Sequence, residues 1–366
     1  ADLDARPEYW LSQQGRLTHP MVLRPGDDHY RPIGWDEAYR LIADELRSLE
    51  SPDEAVFYTS GRTSNEAAFL YQLMVRSFGT NNLPDCSNMC HESSGAALVE
   101  AIGVGKGSVT VEDVANADLI VIAGQNPGTN HPRMLSVLEK AKENGAKIIA
   151  VNPLPEAGLI RFKDPQKVHG VVGHGIPIAD EFVQIRLGGD MALFAGLGRL
   201  LLEAQDEAGP SARIVDRDFI ETHCANFAAY EAQTRAVDLD TVLEATGIER
   251  AQLEKVAQMI IDSERTIACW AMGLTQHRHA VPMISEITNV LLMRGMIGKP
   301  GAGLCPVRGH SNVQGDRTMG IWEKMPESFL AALDNHFGIV SPREHGVDTV
   351  DAIRAMRDGR AKVFMG

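Results

Sequence analysis

The chain contains little cysteine. Five of its 366 residues are cysteines, at positions 86, 90, 224, 269 and 305. An odd, scattered set is not a disulfide framework, which needs paired cysteines. We therefore expect a protein of a reducing compartment, the cytoplasm.

Positive charge and long apolar runs are also scarce. The chain has 35 Lys and Arg against 49 Asp and Glu, a formal net charge of -14. Binding to a nucleic-acid backbone depends on a basic surface that releases counterions, so we expect no nucleic-acid partner. No apolar run reaches the length of about 18 residues typical of a spanning helix, and residues 1–7 lack the pattern of a signal peptide. We therefore expect no membrane insertion.

Short β-branched runs alternate with helical patterns along the chain. Strands are predicted near Val56, over residues 118–124 (DLIVIAG) and 147–153 (KIIAVNP), and in ERTIACWAMG. Helices are predicted near Trp35, from about Asn65, and in MLSVLEKAKENG, GDMALFAGLGRLLLEA and PMISEITNVLLMRGMIG. The strand, helix and strand of residues 118–153 have the length of a parallel crossover. The predicted fold class is α/β, with parallel sheets flanked by helices and ligands at the carboxyl ends of the strands.

Two polar loops follow predicted strands. GQNPGTNHP follows the strand ending at Ala123, and MGLTQHRH follows the strand ending near Ala271. Their amide and hydroxyl groups suit the base, ribose or phosphate of a nucleotide, although a simple turn is an equal alternative. Neither loop has the G-x-G-x-x-G pattern of a nicotinamide site. We interpret His277 and His279 as solvated rather than as metal ligands.

The stretch DCSNMCHESSG, residues 85–95, concentrates reactive side chains in a cysteine-poor chain. One interpretation is a buried cysteine beside a core histidine. Another is a zinc site formed by Cys86, Cys90 and His91, for which a fourth ligand of suitable spacing is missing.

Several motifs resemble those of the molybdopterin oxidoreductase family, in particular the formate-dehydrogenase-like alpha subunits of the acid-resistance-associated type. These are DCSNMCHESSG, GQNPGTNHPR, MGLTQH, GKPGAGLCPVRGHSNVQGDRTMG and the terminal AKVFMG, in the family's order and approximate spacing. The resemblance covers nearly the whole chain. It implies a formate dehydrogenase/DMSO reductase-like fold of the domain II and III type. We predict a dinucleotide-binding-like α/β domain over residues 85–307 and a discontinuous α/β domain from residues 1–84 and 308–366.

The resemblance also implies a site chemistry. Molybdenum would be held by bis(molybdopterin guanine dinucleotide), with Cys90 as a soft thiolate ligand. His91 would accept a proton, and the Arg308 guanidinium would clamp a small carboxylate such as formate during a two-electron oxidation. His310 stands where formate dehydrogenases usually carry glutamine, and Asn152 where many relatives carry an acidic residue.

Further cofactor contacts are implied on the loops at the carboxyl ends of the strands. The implied residues are Gly124, Gln125, Asn126, Asn152, Gly188, Gly189, Asp190, Met272, Gly273, Thr275, Gln276, Gly309, His310 and Gln314. Asp190 equally suits the N-cap of the helix that follows it.

Two parts of the family pattern are not found in these 366 residues. Relatives carry an amino-terminal segment with cysteines for a [4Fe-4S] cluster, and a carboxyl-terminal domain that closes over the pterins. No ferredoxin-like cysteine run occurs here. We therefore interpret the chain as an internal part of a longer enzyme that passes electrons to a partner. Alone, we expect it to be inactive and to purify without molybdenum or iron. The alternatives are a cofactor-free scaffold or binding protein of the same ancestry, and a zinc hydrolase.

Overall fold

The computed structural model describes residues 3–366, apart from the side chain of His169. The strands are β1 (Met21–Val22), β2 (Arg31–Pro32), β3 (Ala55–Phe57), β4 (Leu119–Ala123), β5 (Lys147–Asn152), β6 (Arg161–Phe162), β7 (Ile176–Pro177), β8 (Glu181–Gln184), β9 (Thr266–Trp270), β10 (Gly303–Pro306) and β11 (Val363–Met365).

The helices outnumber the strands among these residues. They are α1 (Glu8–Gln13), α2 (Trp35–Arg47), α3 (Asn65–Phe78), α4 (Ser87–Cys90), α5 (Glu92–Ile102), α6 (Val111–Ala115), α7 (Pro127–Asn130), α8 (Pro132–Glu143), α9 (Ala157–Ile160), α10 (Val168–Val172), α11 (Asp190–Ala208), α12 (Arg217–His223), α13 (Phe227–Arg235), α14 (Leu239–Thr246), α15 (Arg250–Ile261), α16 (Met272–Thr275), α17 (Ala280–Met293), α18 (Val313–Met319), α19 (Glu327–Phe337) and α20 (Thr349–Arg357). A 3-10 turn, Pro52–Glu54, precedes β3.

The chain divides into two compact units. The larger unit consists of Ser60–Arg62 and Cys86–Gly315, and the smaller one of residues 3–59 with Thr63–Asp85 and Asp316–Gly366. Residues 308–315 thus group with the larger unit, whereas the sequence assigns them to the carboxyl-terminal segment, residues 308–366, of the predicted discontinuous domain. The assignment of folding domains stays a prediction.

A five-stranded parallel sheet organises the larger unit. Its strand order is β10, β9, β4, β5, β8. The chain first builds outward from β4 through β5 to β8, then returns to the other side of β4 with β9 and β10. The strand order therefore reverses between β4 and β9, where Ala123 lies opposite Trp270. In doubly wound sheets a ligand crevice opens outside the carboxyl ends of the strands at this reversal.

Both faces of this sheet are covered by helices, which explains why its central strand β4 is apolar throughout. All residues of β4 are buried. Val121 belongs to the core on one face, which also contains residues of α11, α15 and α17, and Ile120 belongs to the core on the other face with residues of α8. Side chains alternate between faces along a strand, so a strand buried on both sides cannot show polar alternation.

The smaller unit has its own core around a two-stranded parallel pair, β3 and β11. Val56 lies opposite Phe364, and the core includes Phe57, Val75 and Ile321. Helix α3 begins where the Ser64 hydroxyl accepts a hydrogen bond from the Ala67 amide, as expected for an N-cap.

Candidate active site

A cleft of about 610 Å³ opens at the carboxyl edge of the parallel sheet. The loops after β4, β5, β8, β9 and β10 all contribute to it. Ten of the residues predicted from the sequence line it: Cys90, Gly124, Gln125, Asn126, Asn152, Asp190, Met272, Gly273, Gly309 and His310. Its volume is in the range of small-molecule and cofactor sites.

The other predicted residues do not line this cleft. They are His91, Gly188, Gly189, Thr275, Gln276, Arg308 and Gln314. Gln276 instead supports the loop that carries the cysteine, because its Nε2 donates to the carbonyls of Met89 at 2.8 Å and Cys90 at 3.3 Å.

Cys90 ends the short helix α4 and presents its thiol to the cleft. Its Sγ lies 3.3 Å from Met272 Sδ, and the side chain is half-buried. Cys86 has a different environment. Its buried Sγ accepts a hydrogen bond from the Gly61 backbone amide at 3.2 Å. The two cysteines of the motif therefore have different structural roles, and only Cys90 reaches the cleft.

The zinc interpretation finds no support in the part of the chain that the structure describes. Over these residues, no three His, Cys, Asp or Glu side chains gather closely enough to hold a metal ion.

His91 lies beneath the cleft rather than in its wall, with 1% of its surface exposed. Trp270 Nε1 donates to Ser94 Oγ at 2.9 Å, and Ser94 Oγ lies 2.9 Å from His91 Nδ1. An indole nitrogen only donates, so the serine oxygen accepts from it and can give its own hydrogen to Nδ1. Burial lowers the pKa of His91 to about 4, with a further contribution from the Arg308 charge, so the ring is neutral at pH 7.

Arg308 is the second residue after the end of β10. It lies close enough to His91 for the guanidinium charge to lower the pKa of the imidazole ring. One guanidinium nitrogen donates to the Gly105 carbonyl at 2.9 Å. The Arg308 carbonyl is 3.1 Å from His131 Nε2. The fold thus brings the predicted ligand, proton acceptor and clamp into one region, although Cys90 and Arg308 are far apart along the chain.

Two predicted amide side chains have partners within the protein. Asn126 accepts the Thr129 amide at 3.2 Å and donates to Glu156 at 2.8 Å, whereas Asn152 donates to the Gln125 carbonyl at 3.1 Å. Both amides therefore hold the loops of the cleft in place.

Several cleft residues were not singled out by sequence reasoning. They are Arg62, Thr129, Asn130, His131, Glu156 and Arg186. Three of them belong to the polar loop GQNPGTNHP, and the polar composition of that loop after a strand is the signal in the sequence that could have indicated them. His277, interpreted from the sequence as solvated, also lines the cleft. Burial raises the pKa of Asp190, another residue that lines the cleft.

Pairs of glycines allow the loops around the cleft to touch. A Cβ on Gly124 would lie 2.9 Å from the Cα of Gly273, and one on Gly158 would lie 2.5 Å from the Cα of Gly128. Two buried polar atoms of residues that line the cleft, Gln125 Oε1 and His310 Nδ1, have no protein hydrogen-bond partner among the described residues. A soft thiol, close-packed backbone and unpaired polar atoms together fit a flat cofactor with a thiophilic metal.

The fold and the cleft define a doubly wound α/β protein with a cysteine at the sheet's ligand-binding edge. Residues 16–354 match the Molybdopterin oxidoreductase family. The chain therefore belongs to that family, which implies a molybdenum-pterin cofactor, and the predicted family and fold class are confirmed.

Individual relatives agree with this assignment. An uncharacterized oxidoreductase of Mycobacterium tuberculosis is 79% identical over all of this chain, which covers 47% of that protein. Protein YdeP of Escherichia coli is 44% identical over 98% of this chain, which covers 48% of it. Formate dehydrogenase H of Escherichia coli is 30% identical over 83% of this chain and 40% of its own length.

Acetylene hydratase from Pelobacter acetylenicus shares the fold, with a TM-score of 0.63 and 19% sequence identity. The match covers 79% of this chain and 37% of the acetylene hydratase chain. The chain spans about half the length of the mycobacterial and YdeP relatives. Within residues 3–366, none of the helices has the length and apolar composition needed to cross a bilayer.

Proposed function

We propose that the full-length protein is a molybdenum-dependent oxidoreductase that removes two electrons from a small substrate such as formate. The metal would be held by bis(molybdopterin guanine dinucleotide). One observation carries the proposal: the Cys90 thiol lines a cleft at the carboxyl edge of a sheet whose strand order reverses there. When bound, the cofactor supplies a redox metal that takes up the electron pair of the substrate.

Cys90 is the proposed metal ligand. A thiolate is a soft donor that suits molybdenum also bound by sulfur, and coordination keeps it deprotonated. The carbonyl of Cys90 is held by Gln276, which supports a fixed position of the residue at the edge of the cleft.

The nucleotide parts of the cofactor are proposed to lie along the loops after β4, β5 and β8. The carboxylate of Asp190, at the start of α11, is one group for this contact. Glu156 offers a second carboxylate in the same cleft. Carboxylates accept hydrogen bonds from the N–H groups of guanine or from ribose hydroxyls.

Arg308 is the proposed clamp for a substrate carboxylate. A guanidinium fork holds a carboxylate by two charge-assisted hydrogen bonds. The neighbouring residues Gly309 and His310 line the cleft, which places the Arg308 backbone at its edge.

His91 is the proposed proton acceptor beside the thiol. Burial lowers the pKa of His91 to about 4, which leaves the ring neutral at pH 7 but makes it a weak base, so the proposed role rests on the resemblance. Because the ring is buried, a proton would reach it through a neighbouring polar group or ordered water.

Electrons are proposed to leave through a [4Fe-4S] cluster outside these 366 residues to an electron-transfer partner, in the cytoplasm. These features rest on the resemblance to formate-dehydrogenase-like subunits.

Two matched cysteine variants of the full-length protein test the proposal. Cys90→Ser replaces the soft donor by a poorly ionised hydroxyl, and we expect loss of formate oxidation with the organic cofactor retained. Cys86→Ser keeps an acceptor for the Gly61 amide and should retain metal and activity within about threefold. Metal content by mass spectrometry and dye-linked oxidation of formate are the measurements.

The outcomes separate the candidate functions. Molybdenum with activity that depends on Cys90 supports the proposal. Zinc that is lost from both cysteine variants indicates the hydrolase, and absence of both metals from the full-length protein indicates a scaffold. Full activity in Cys90→Ser would show that this cysteine is not the ligand.

A further inference from the structure

His131 connects two loops of the cleft. It lies between α7 and α8, with Nδ1 3.3 Å from Gln125 Nε2 and Nε2 3.1 Å from the Arg308 carbonyl oxygen. An amide nitrogen only donates and a carbonyl oxygen only accepts. The ring is therefore neutral with its hydrogen on Nε2, so that it accepts from Gln125 and donates to Arg308.

The neighbours of Gln125 agree with this assignment. Its Nε2 carries two hydrogens and faces two acceptors, His131 Nδ1 and Met134 Sδ at 3.1 Å. Its backbone carbonyl accepts from Asn152 at 3.1 Å. Burial lowers the pKa of His131, which favours the neutral ring. A continuous series of hydrogen bonds thus runs from the end of β5 through the loop after β4 to the end of β10.

The segment that receives this series of hydrogen bonds follows β10 and lies between two backbone hydrogen bonds. The Val307 amide donates to the Trp270 carbonyl at 2.8 Å, and the Asn312 amide donates to the Gly61 carbonyl at 2.7 Å. Between these two bonds, residues 308–311 form no helix or strand. The hydrogen bond from His131 holds this segment near its beginning.

We propose that His131 is a positioning residue: by donating from Nε2 to the Arg308 carbonyl, it holds residues 308–310 at the edge of the cleft. It therefore couples the loop after β4 to the loop that carries Arg308. The consequence for substrate binding rests on the proposed role of Arg308, whereas the positioning itself does not.

Two variants separate the two ring nitrogens. His131→Gln keeps a donor near the place of Nε2, and His131→Asn keeps a polar group only near the place of Nδ1. Hydrogen exchange at the Val307 and Asn312 amides reports on the segment, and the Arg186 amide, bonded to the Thr246 carbonyl at 2.9 Å in another loop of the cleft, is the control. In His131→Asn we expect exchange at the two reporters to accelerate at least about fivefold, with less than about a twofold change in His131→Gln.

The results discriminate clearly. Faster exchange at both reporters in His131→Asn, restored in His131→Gln and absent at Arg186, supports the proposal. No change in either variant, or an equal change at all three amides in both variants, overturns it. Nitrogen-15 spectra of the unsubstituted protein near pH 7 should show the hydrogen on Nε2 of His131, and a hydrogen on Nδ1 would also overturn it.

Kinetics of the full-length protein test the link to function separately. If Arg308 is the clamp, His131→Asn raises KM for formate more than it lowers kcat, and His131→Gln restores KM. A changed exchange rate with an unchanged KM would leave the positioning role intact and would remove Arg308 as the clamp.

Discussion

Gly124→Ala tests the contact between the two loops that meet where the strand order reverses. Gly124 has φ +57°, and a Cβ there would lie 2.5 Å from Leu274 Cδ1 and 2.9 Å from the Cα of Gly273. The Gly124 carbonyl also accepts the Gly273 amide at 3.0 Å. The left-handed conformation costs alanine about 1–2 kcal/mol. Overlap in a close-packed region costs about 1–3 kcal/mol, so the expected loss in the free energy of unfolding is about 2–5 kcal/mol.

Two further variants separate these contributions. Gly103→Ala has the conformational cost without the overlap, because Gly103 has φ +76° and no atom lies within 4 Å of the position that its Cβ would take. We expect it to lose about 1–2 kcal/mol. Gly273→Ala has the overlap without positive φ, since its Cβ would lie 2.5 Å from the Cα of Gly124. We expect it to lose about 1–3 kcal/mol.

Urea unfolding followed by far-ultraviolet circular dichroism gives the free energies for all three variants. Because Gly124→Ala and Gly273→Ala disturb the same contact, the double variant should lose less than the sum of the two single losses. Equal losses in Gly124→Ala and Gly103→Ala would refute the close approach of the two loops.

Three further predictions concern single side chains. Arg308→Lys in the full-length protein should raise KM for formate about tenfold, with a smaller effect on kcat, because the point charge of lysine cannot form the two hydrogen bonds of the clamp. An unchanged KM would contradict the role of Arg308 as the clamp. Ser94→Ala should lower the free energy of urea unfolding by about 1–3 kcal/mol, because it leaves the buried Trp270 Nε1 without its acceptor. The control Ser285→Ala should lose less, because the Ser285 hydroxyl bonds to a carbonyl of its own helix. Arg294→Met should cost at least about 3 kcal/mol in the same assay, because the buried guanidinium donates to five backbone carbonyls, and a loss below about 1 kcal/mol would contradict this reasoning.

Much of the larger unit could be predicted from the sequence because its elements carry strong local signals. The apolar run around residues 118–124 corresponds to β4, and the run at residues 147–153 to β5. The helical pattern after Gly189 corresponds to α11. The edge strands β8 and β10 were not predicted, because such four-residue strands carry little periodicity.

Side-chain partners in the cleft were less predictable. The sequence identifies Asn126 and Asn152 as polar residues at strand ends, but their amides bond to Glu156 and to the Gln125 carbonyl. His131 was no more conspicuous than its neighbours in the loop. Its importance comes from Arg308, which is 177 positions away along the chain.

The sequence by itself determined the α/β class and the family, because these depend on local periodicity and on the order of short motifs. It also predicts Cys90 as the metal ligand, which stays a prediction. Only the tertiary structure decided that His91 is buried beneath the cleft, that Cys90 lies beside Met272, and that His131 holds the Arg308 loop. Such contacts depend on which strands become neighbours when the chain returns across β4 to form β9 and β10. Local patterns predict the strands themselves, but the packing of the whole sheet selects their order and therefore the side chains that meet at its edge.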